Sequence, residues 1–303
     1  MQAFVFYLVY PFIWVLARLP FWLLYRISDL VFVIVYYLTR YRKKVIMNNL
    51  DIAFPEKSYQ EKKRIARESM QHFCDNFIEI IKSLGISKTQ VEKRFTCDNV
   101  DVVNAFAKAE QPVVIMLGHQ ASYEWTIALD EALEHQSYAV YKPIKNPYFD
   151  KLIREVRSKF GTTLLPMKKA YNLIRQSQKS VTGLYALVAD QAPKPYKAQY
   201  FTQFFERTTA VLKGGERMAK QYGMPVFFLR VKKLKRGFYH ATFEKITDDA
   251  SKEVDWMVTD CFFELLEDQI KRQPEYYLWS HKRWKTSLKD ATRAVELSPR
   301  VPQ

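Results

Sequence analysis

The first 38 residues constrain the chain more than any other stretch. Residues 3–17 (AFVFYLVYPFIWVLA) carry no charge, and residues 21–38 (FWLLYRISDLVFVIVYYL) carry only Arg26 and Asp29. Arg18, Leu19 and Pro20 stand between the two runs. The first run is shorter than the roughly 20 residues a helix needs to cross a bilayer, and Pro11 interrupts it. A cleaved secretory leader fits poorly. The N-terminus lacks Lys and Arg, no small-x-small cleavage site follows, and a second apolar run comes directly after. Residues 1–44 are therefore expected to be a membrane anchor, either one tilted span or a short span plus a helix lying in the interface. A buried helical hairpin of a soluble protein is the alternative. Arg40, Arg42, Lys43 and Lys44 close the segment, and by the positive-inside rule they leave the rest of the chain facing the cytoplasm.

Beyond the anchor the pattern is that of a mixed α/β domain over residues 45–290, with a polar tail at 291–303. An apolar content of 48% in 303 residues excludes disorder, even at a formal charge of +15. Ser58-x-x-Glu61 is a capping box that opens a helix with apolar positions Ile65, Phe73, Phe77, Ile80 and Leu84, stopped at Gly85. Asn146-Pro147 starts another helix, closed by Gly161. Strands are expected at 113–117 and 183–189, a hairpin at 225–231 and 238–246, and helices at 209–222 and 253–272. Strands alternating with helices predict a central mixed sheet flanked by helices. Cys74, Cys97 and Cys261 are odd in number and widely spaced, which argues against a disulfide framework and for a reducing compartment.

The chemistry has few places to sit. There is no Gly-x-Ser-x-Gly elbow, no phosphate-binding glycine loop and no metal-ligand spacing among the cysteines and histidines, so no metal is expected. His119 differs from the other four histidines because it directly follows a buried strand and Gly118. Glu124 stands five residues later. On an ideal helix such a pair lies about 140° apart, so the two meet only if His119 is in the turn and Glu124 in the helix. A carboxylate on one imidazole nitrogen fixes the tautomer and frees the other nitrogen as a base. Spacing alone leaves a chance pairing open.

Ordered blocks elsewhere carry a resemblance. An apolar N-terminus precedes Arg42-x-x-Val45-x-x-Asn48-Asn49-Leu50 and Ala53-Phe54-Pro55-Glu56. Gly118-His119 with Glu124-Trp125 follows, then Tyr141-Lys142-Pro143 with Asn146-Pro147, and Arg157 with Gly161. Asp190-Gln191, Phe204-Phe205, Thr208-Thr209 and Gly214-Gly215 lead to the closing Tyr277-x-Trp279-x-His281-Lys282-Arg283-Trp284-Lys285. In this set the chain resembles the late (secondary) acyltransferases of lipid A biosynthesis, which share a His-x4-Asp/Glu motif with glycerolipid acyltransferases.

The resemblance implies a glycerolipid acyltransferase-like fold in the bacterial inner membrane. His119 would be the general base and Glu124 its orienting partner, with no covalent enzyme intermediate. It further implies substrate-binding roles for Arg157, Asp190, Lys142 and Arg283. Lys142 replaces an arginine common in this block, which weakens any bidentate anion contact there. Arg157 faces an oxyanion or a phosphate, or is a solvated surface arginine. Arg283 and Lys285 bind substrate phosphates, or form a basic membrane-facing patch. No cofactor is implied. The co-substrate is an acyl carrier protein thioester or a coenzyme A thioester, and the acceptor a lipid A precursor. The positive charge suits an acidic carrier protein, an anionic acceptor and anionic membrane lipid alike. Acyl transfer to a lysophospholipid, a phosphoinositide mannoside or an amino lipid stays open, as does non-enzymatic binding of anionic lipid. No nucleic-acid signature occurs.

Overall fold

The computed structural model describes residues 1–177 and 182–301. Helices α1 (Gln2–Arg18) and α2 (Phe21–Val33, prolonged by a π turn at Ile34–Leu38) lead to α3 (Lys43–Ala53) and the long α4 (Tyr59–Ser83). Then come α5 (Lys88–Glu92), β1 (Phe95–Cys97), α6 (Asp101–Lys108) and β2 (Val113–Leu117). The middle of the chain forms β3 (Gln136–Tyr141), α7 (Pro147–Arg157), β4 (Thr163–Pro166), α8 (Ala170–Ser177) and β5 (Gly183–Val188). After it stand β6 (Tyr200–Phe204), β7 (Arg207–Ala210) and α9 (Gly214–Gln221). The hairpin β8 (Val226–Lys235) and β9 (Phe238–Thr247), α10 (Met257–Arg272) and the two-residue β10 (Glu296–Leu297) complete the order.

Seven strands form the central sheet in the order β1-β9-β8-β2-β5-β3-β4. Neighbours pair in parallel except β8 with β9, so β9 and β1 run against the other five. This is the mixed, helix-flanked sheet expected from the sequence. Central strands buried on both faces read as continuous apolar runs, and β2 (VVIML) is buried at every position. Its side chains alternate between two cores. Val114 and Met116 pack with α3, α4 and α10, whereas Val113, Ile115 and Leu117 pack with Val91 of α5 and Val103 of α6.

Local signals explain the long helices. Ser58 accepts from the Glu61 N–H while the Glu61 carboxylate accepts from Ser58, so the expected capping box is formed. Asn146 caps α7 through the N–H groups of Tyr148 and Phe149. The expected helix at 209–222 divides instead. Thr208 and Thr209 are β-branched and pair with β6, and the helix begins only at Gly214. Likewise α10 starts at Met257, because Trp256 takes φ +71° and interrupts the turn before it. The C-terminal segment, expected as a polar tail, is docked on the domain: β10 pairs with β6, and Ser298 donates to Asp260. Residues 302 and 303 of the expected tail lie outside the described ones.

The N-terminal helices lie against the domain. Lys82 Nζ donates to the Ala17 and Leu19 carbonyls at the end of α1, and a Cβ on Gly85 would meet the Ala17 oxygen at 2.3 Å. At the other end of α1, Asn146 donates to the Gln2 carbonyl and Phe6 packs on Tyr148 and Phe149. Along α2, Tyr25 bonds Glu79, Ser28 bonds Asp75 and Asp29 pairs with Arg236. The stretch Phe21–Leu38 is long and apolar enough to cross a membrane. The outward faces stay apolar, with Phe4, Phe12, Trp22 and Leu38 exposed.

Candidate active site

Strands β2 and β5 are adjacent and parallel, with Leu117 opposite Val188. Two residues past each of these, the chain presents His119 and Asp190 side by side at the carboxyl end of the sheet, where ligands bind in open α/β folds. His119 Nδ1 donates to Asp190 Oδ1 at 2.5 Å, and the His119 backbone N–H donates to Asp190 Oδ2 at 3.0 Å. Gly118 has no room for a side chain, since a Cβ there would lie 2.4 Å from Leu266 of α10. The turn is held from the other side by residues 276–278. Leu278 N–H donates to the His119 carbonyl, and Ala121 N–H donates to the Tyr276 carbonyl. Ala121 is fully buried at φ +50°, a conformation that persists only where its surroundings over-determine it.

The electrostatics follow from this packing. Burial alone would push the His119 imidazole down, but the Asp190 charge and hydrogen bond outweigh it, with Glu124 adding and Arg157 opposing, and its pKa is raised. Burial would raise the Asp190 carboxyl, yet His119 and its two hydrogen bonds, with Arg283 beyond, pull it down to about 2. Gln191 Nε2 lies 3.2 Å from His119 Nε2, and the Tyr123 ring stands edge-on to the imidazole at 4.7 Å. With Nδ1–H committed to Asp190, the Nε2 lone pair is the proton-accepting position, and the Gln191 amide lies on it. A cavity of about 130 Å³ opens beside His119, lined by Met70, Phe73, Phe77 and Ile80 of α4 with Tyr123 and Tyr276.

Glu124 is placed differently from the expectation. It sits in a single 3₁₀ segment, Tyr123–Leu129, and its two oxygens take Nε (2.8 Å) and Nη2 (2.5 Å) of Arg157, the last residue of α7. The partner on the imidazole is Asp190, which sequence reasoning had assigned to substrate. The tighter 3₁₀ turn points Glu124 toward α7, and the strand register brings Asp190 to His119 instead. Burial would lower the Arg157 guanidinium, but Glu124 keeps it raised.

Arg283 is also corrected. It is 2% exposed and donates through Nη1 to the Ala210 carbonyl, so it is neither at a substrate surface nor part of a membrane-facing patch. Lys282 and Lys285, on either side, are exposed. Lys142 is exposed too, and among the described residues no hydrogen bond or ion pair joins it to His119 or Arg157. Gln191, Tyr123 and Tyr277 were given no role from sequence. Gln191 and Tyr277 stood in the quoted blocks, and nothing but a pairing register could have placed them here. Among the described residues no cluster of three or more His, Cys, Asp or Glu could hold a metal ion, and the three cysteines are free.

Comparison with known proteins gives this geometry a family. A lipid A biosynthesis lauroyltransferase of Escherichia coli (strain K12) is 21% identical over 280 residues, covering 90% of this chain and 89% of its own. A lipid A biosynthesis acyltransferase of Haemophilus influenzae (strain ATCC 51907 / DSM 11121 / KW20 / Rd) is 20% identical over 257 residues, covering 84% and 81%. The profile for bacterial lipid A biosynthesis acyltransferases matches residues 1–286, a span that takes in the docked helices, the sheet and every residue of the His119 site. The chain belongs to the bacterial lipid A biosynthesis acyltransferase family.

Proposed function

We propose that this protein moves a fatty acyl group from an acyl thioester, with acyl carrier protein as the donor's carrier, to a hydroxyl of a lipid A precursor. Acyl transfer onto lipid A is the activity its family supports; the donor, the residues and the membrane geometry are our reading. The hydroxyl gives its proton to His119 Nε2 while its oxygen attacks the thioester carbonyl. The new C–O bond forms, the C–S bond breaks, and the imidazolium returns the proton to the departing sulfur, which leaves as the thiol and restores the neutral base. Asp190 fixes the tautomer and stabilises the imidazolium. Arg157, committed to Glu124 through Nε and Nη2, keeps Nη1 for an oxygen of the substrate. The observation that carries the reading is the 2.5 Å contact between His119 Nδ1 and Asp190 beside a cavity lined mainly by apolar and aromatic side chains, with Ser69, His72 and Asn76 among them.

In this reading the protein sits on the inner membrane with its catalytic domain in the cytoplasm. Both ends of α1 are tied to the domain, as is the length of α2 through Tyr25, Ser28 and Asp29. A helix fastened in this way lies in the interface, with its apolar outer face in the lipid. Exposed basic residues such as Arg40, Arg42 and Lys44 would add attraction to anionic headgroups.

The test is acyl transfer by detergent-purified protein, read by mass spectrometry. Acyl-loaded carrier protein is the donor and a tetra-acylated lipid A precursor the acceptor, with His119→Ala alongside. A product heavier by one acyl group, absent in the mutant, is expected. Product from both proteins would remove His119 from its role.

A further inference from the structure

The turn that carries His119 is held by a second histidine, on α4. Ala121 keeps φ +50° with its N–H on the Tyr276 carbonyl, and its own carbonyl is gripped from α4. His72 Nε2 lies 3.2 Å from the Ala121 oxygen, and Asn76 Nδ2 donates to the same oxygen at 3.0 Å. On the other side of the imidazole, Lys233 Nζ of β8 stands 3.2 Å from His72 Nδ1. An ammonium can only donate, so Nδ1 accepts and the ring proton sits on Nε2, aimed at the Ala121 oxygen. Burial, then the Lys233 charge, hold the His72 pKa well down, in keeping with that neutral tautomer. Lys233 is braced in turn. It is buried, with Nζ 3.7 Å from the buried Asp75 carboxylate. Asp75 takes Nε and Nη2 of Arg236, and Nη2 also reaches Asp29 of α2 at 2.7 Å. The Lys233 backbone exchanges two hydrogen bonds with the Gln273 side chain, and the Gln273 carbonyl accepts from Gln120, the residue after His119. Burying an ammonium is costly, and here part of its pairing capacity goes to a neutral ring.

We infer that His72 is a positioning residue: locked in one tautomer by Lys233, it fixes the Ala121 carbonyl and with it the turn that aims His119. The inference rests on the reading of His119 as general base. His72 edges the cavity beside His119, but both of its nitrogens are committed, so it is neither a second base nor a donor to substrate. It acts through the backbone. Without the ring proton on its carbonyl, Ala121 is held only by Asn76 and by residues 276–278, and its unfavourable φ relaxes toward an ordinary value. His119 lies just before it in the chain, so the imidazole shifts against both Asp190 and the incoming hydroxyl. The brace behind the ring is built from β8, α4 and α2 together, and it enters the turn twice, through His72 to Ala121 and through Gln273 to Gln120.

The experiment measures kcat, KM for the acyl donor and the melting temperature of the full-length protein. The variants are His72→Phe, His72→Gln, Lys233→Met and the double variant His72→Phe/Lys233→Met, with wild type and His119→Ala alongside. His72→Phe keeps a ring and loses both hydrogen bonds, so kcat is expected to fall about ten- to a hundredfold with KM within about twofold. It also strands the Lys233 ammonium and lowers the melting temperature. The double variant removes that charge: its melting temperature recovers while kcat stays as low as in His72→Phe. Lys233→Met, which leaves the ring proton on Ala121, falls between wild type and His72→Phe. His72→Gln, whose amide offers both a donor and an acceptor, returns kcat to within about fivefold of wild type. A kcat that recovers together with stability in the double variant would mean that the ring serves stability only, and would overturn the inference. The double variant decides the matter even if His72→Phe alone does not fold. Equal rates in wild type and His119→Ala would sink the base assignment itself, and this inference with it. A rate that needs His119 and ignores His72 would sink this inference alone.

Discussion

Two charge pairs stand next to each other at the carboxyl end of the sheet, and they are built on different principles. The His119–Asp190 pair is anchored in the backbone. Each residue lies two positions past the end of a central strand, and Asp190 also accepts the N–H of the residue it serves. The Glu124–Arg157 pair is made by side chains alone, between a 3₁₀ segment and the end of α7. Their exposures differ accordingly: the Asp190 side chain is 3% exposed, whereas that of Arg157 is 28% exposed. A carboxylate that must hold one tautomer through a reaction is best fixed by the main chain and kept from water. A guanidinium that meets a ligand must remain reachable.

Substitutions should separate the two. Asp190→Asn keeps the shape and removes the charge, so the imidazole loses both its tautomer lock and its counterion. A loss of about a thousandfold to ten-thousandfold in kcat is expected, with KM little changed. A loss below about tenfold would mean that Glu124 can serve the imidazole after all. Glu124→Gln should cost about ten- to a hundredfold in kcat/KM, because it releases the Arg157 fork from its fixed geometry. Arg157→Met, which strands the Glu124 carboxylate, should also destabilise the protein by about 2 kcal/mol. If the double variant is no worse than either single one, the residues act as one unit.

What could be read from the chain follows the same division. Features with a local cause were legible: the Ser58–Glu61 capping box, the Asn146 cap and the apolar run of β2 all lie where the sequence places them. His119 stood out because a strand end and Gly118 precede it. Its partner did not, because Asp190 is 71 residues away and reaches it only through a parallel register that no local pattern encodes. The five-residue spacing to Glu124 was compatible with contact, yet a 3₁₀ segment turned that carboxylate to α7. Arg283 read as one of a basic run, since Lys282 and Lys285 flank it. Burial of the middle residue between Phe204 and Phe263 is a packing fact. In the same way, apolarity announced α1 and α2 but not their ties to Lys82, Asn146 and Arg236.

The backbone-anchored pair should also set activity and stability against each other along the pH axis. His119 has a raised pKa in the fold. Its contribution to stability is therefore full below the unfolded value near 6.5 and is lost as pH rises through the folded value. Activity needs the neutral imidazole and rises through that same window. At the acid end, Asp190 is held at about 2, so its contribution is present above the unfolded value near 3.9 and lost as pH falls through the folded one. Thermal melts and rates recorded on the same pH series should thus move in opposite directions around neutrality in wild type. In His119→Gln the melts should lose that slope. Parallel changes in rate and melting would mean that another group governs the rate.

The smallest effect is expected at Gln191, and it tests how the pair is kept ready. Its amide nitrogen lies 3.2 Å from His119 Nε2, on the nitrogen that the acceptor hydroxyl must reach. A donor there favours the neutral imidazole in the resting enzyme, and the hydroxyl replaces it when substrate binds. Gln191→Ala removes a contact that the reaction itself breaks, so plateau kcat should stay within about threefold. The acid limb should move slightly to higher pH, because the neutral form has lost a hydrogen bond. A kcat loss approaching that of Asp190→Asn would assign the amide a contact made in the transition state. Gln191 would then belong with Arg157 among the groups that hold the reacting oxygen.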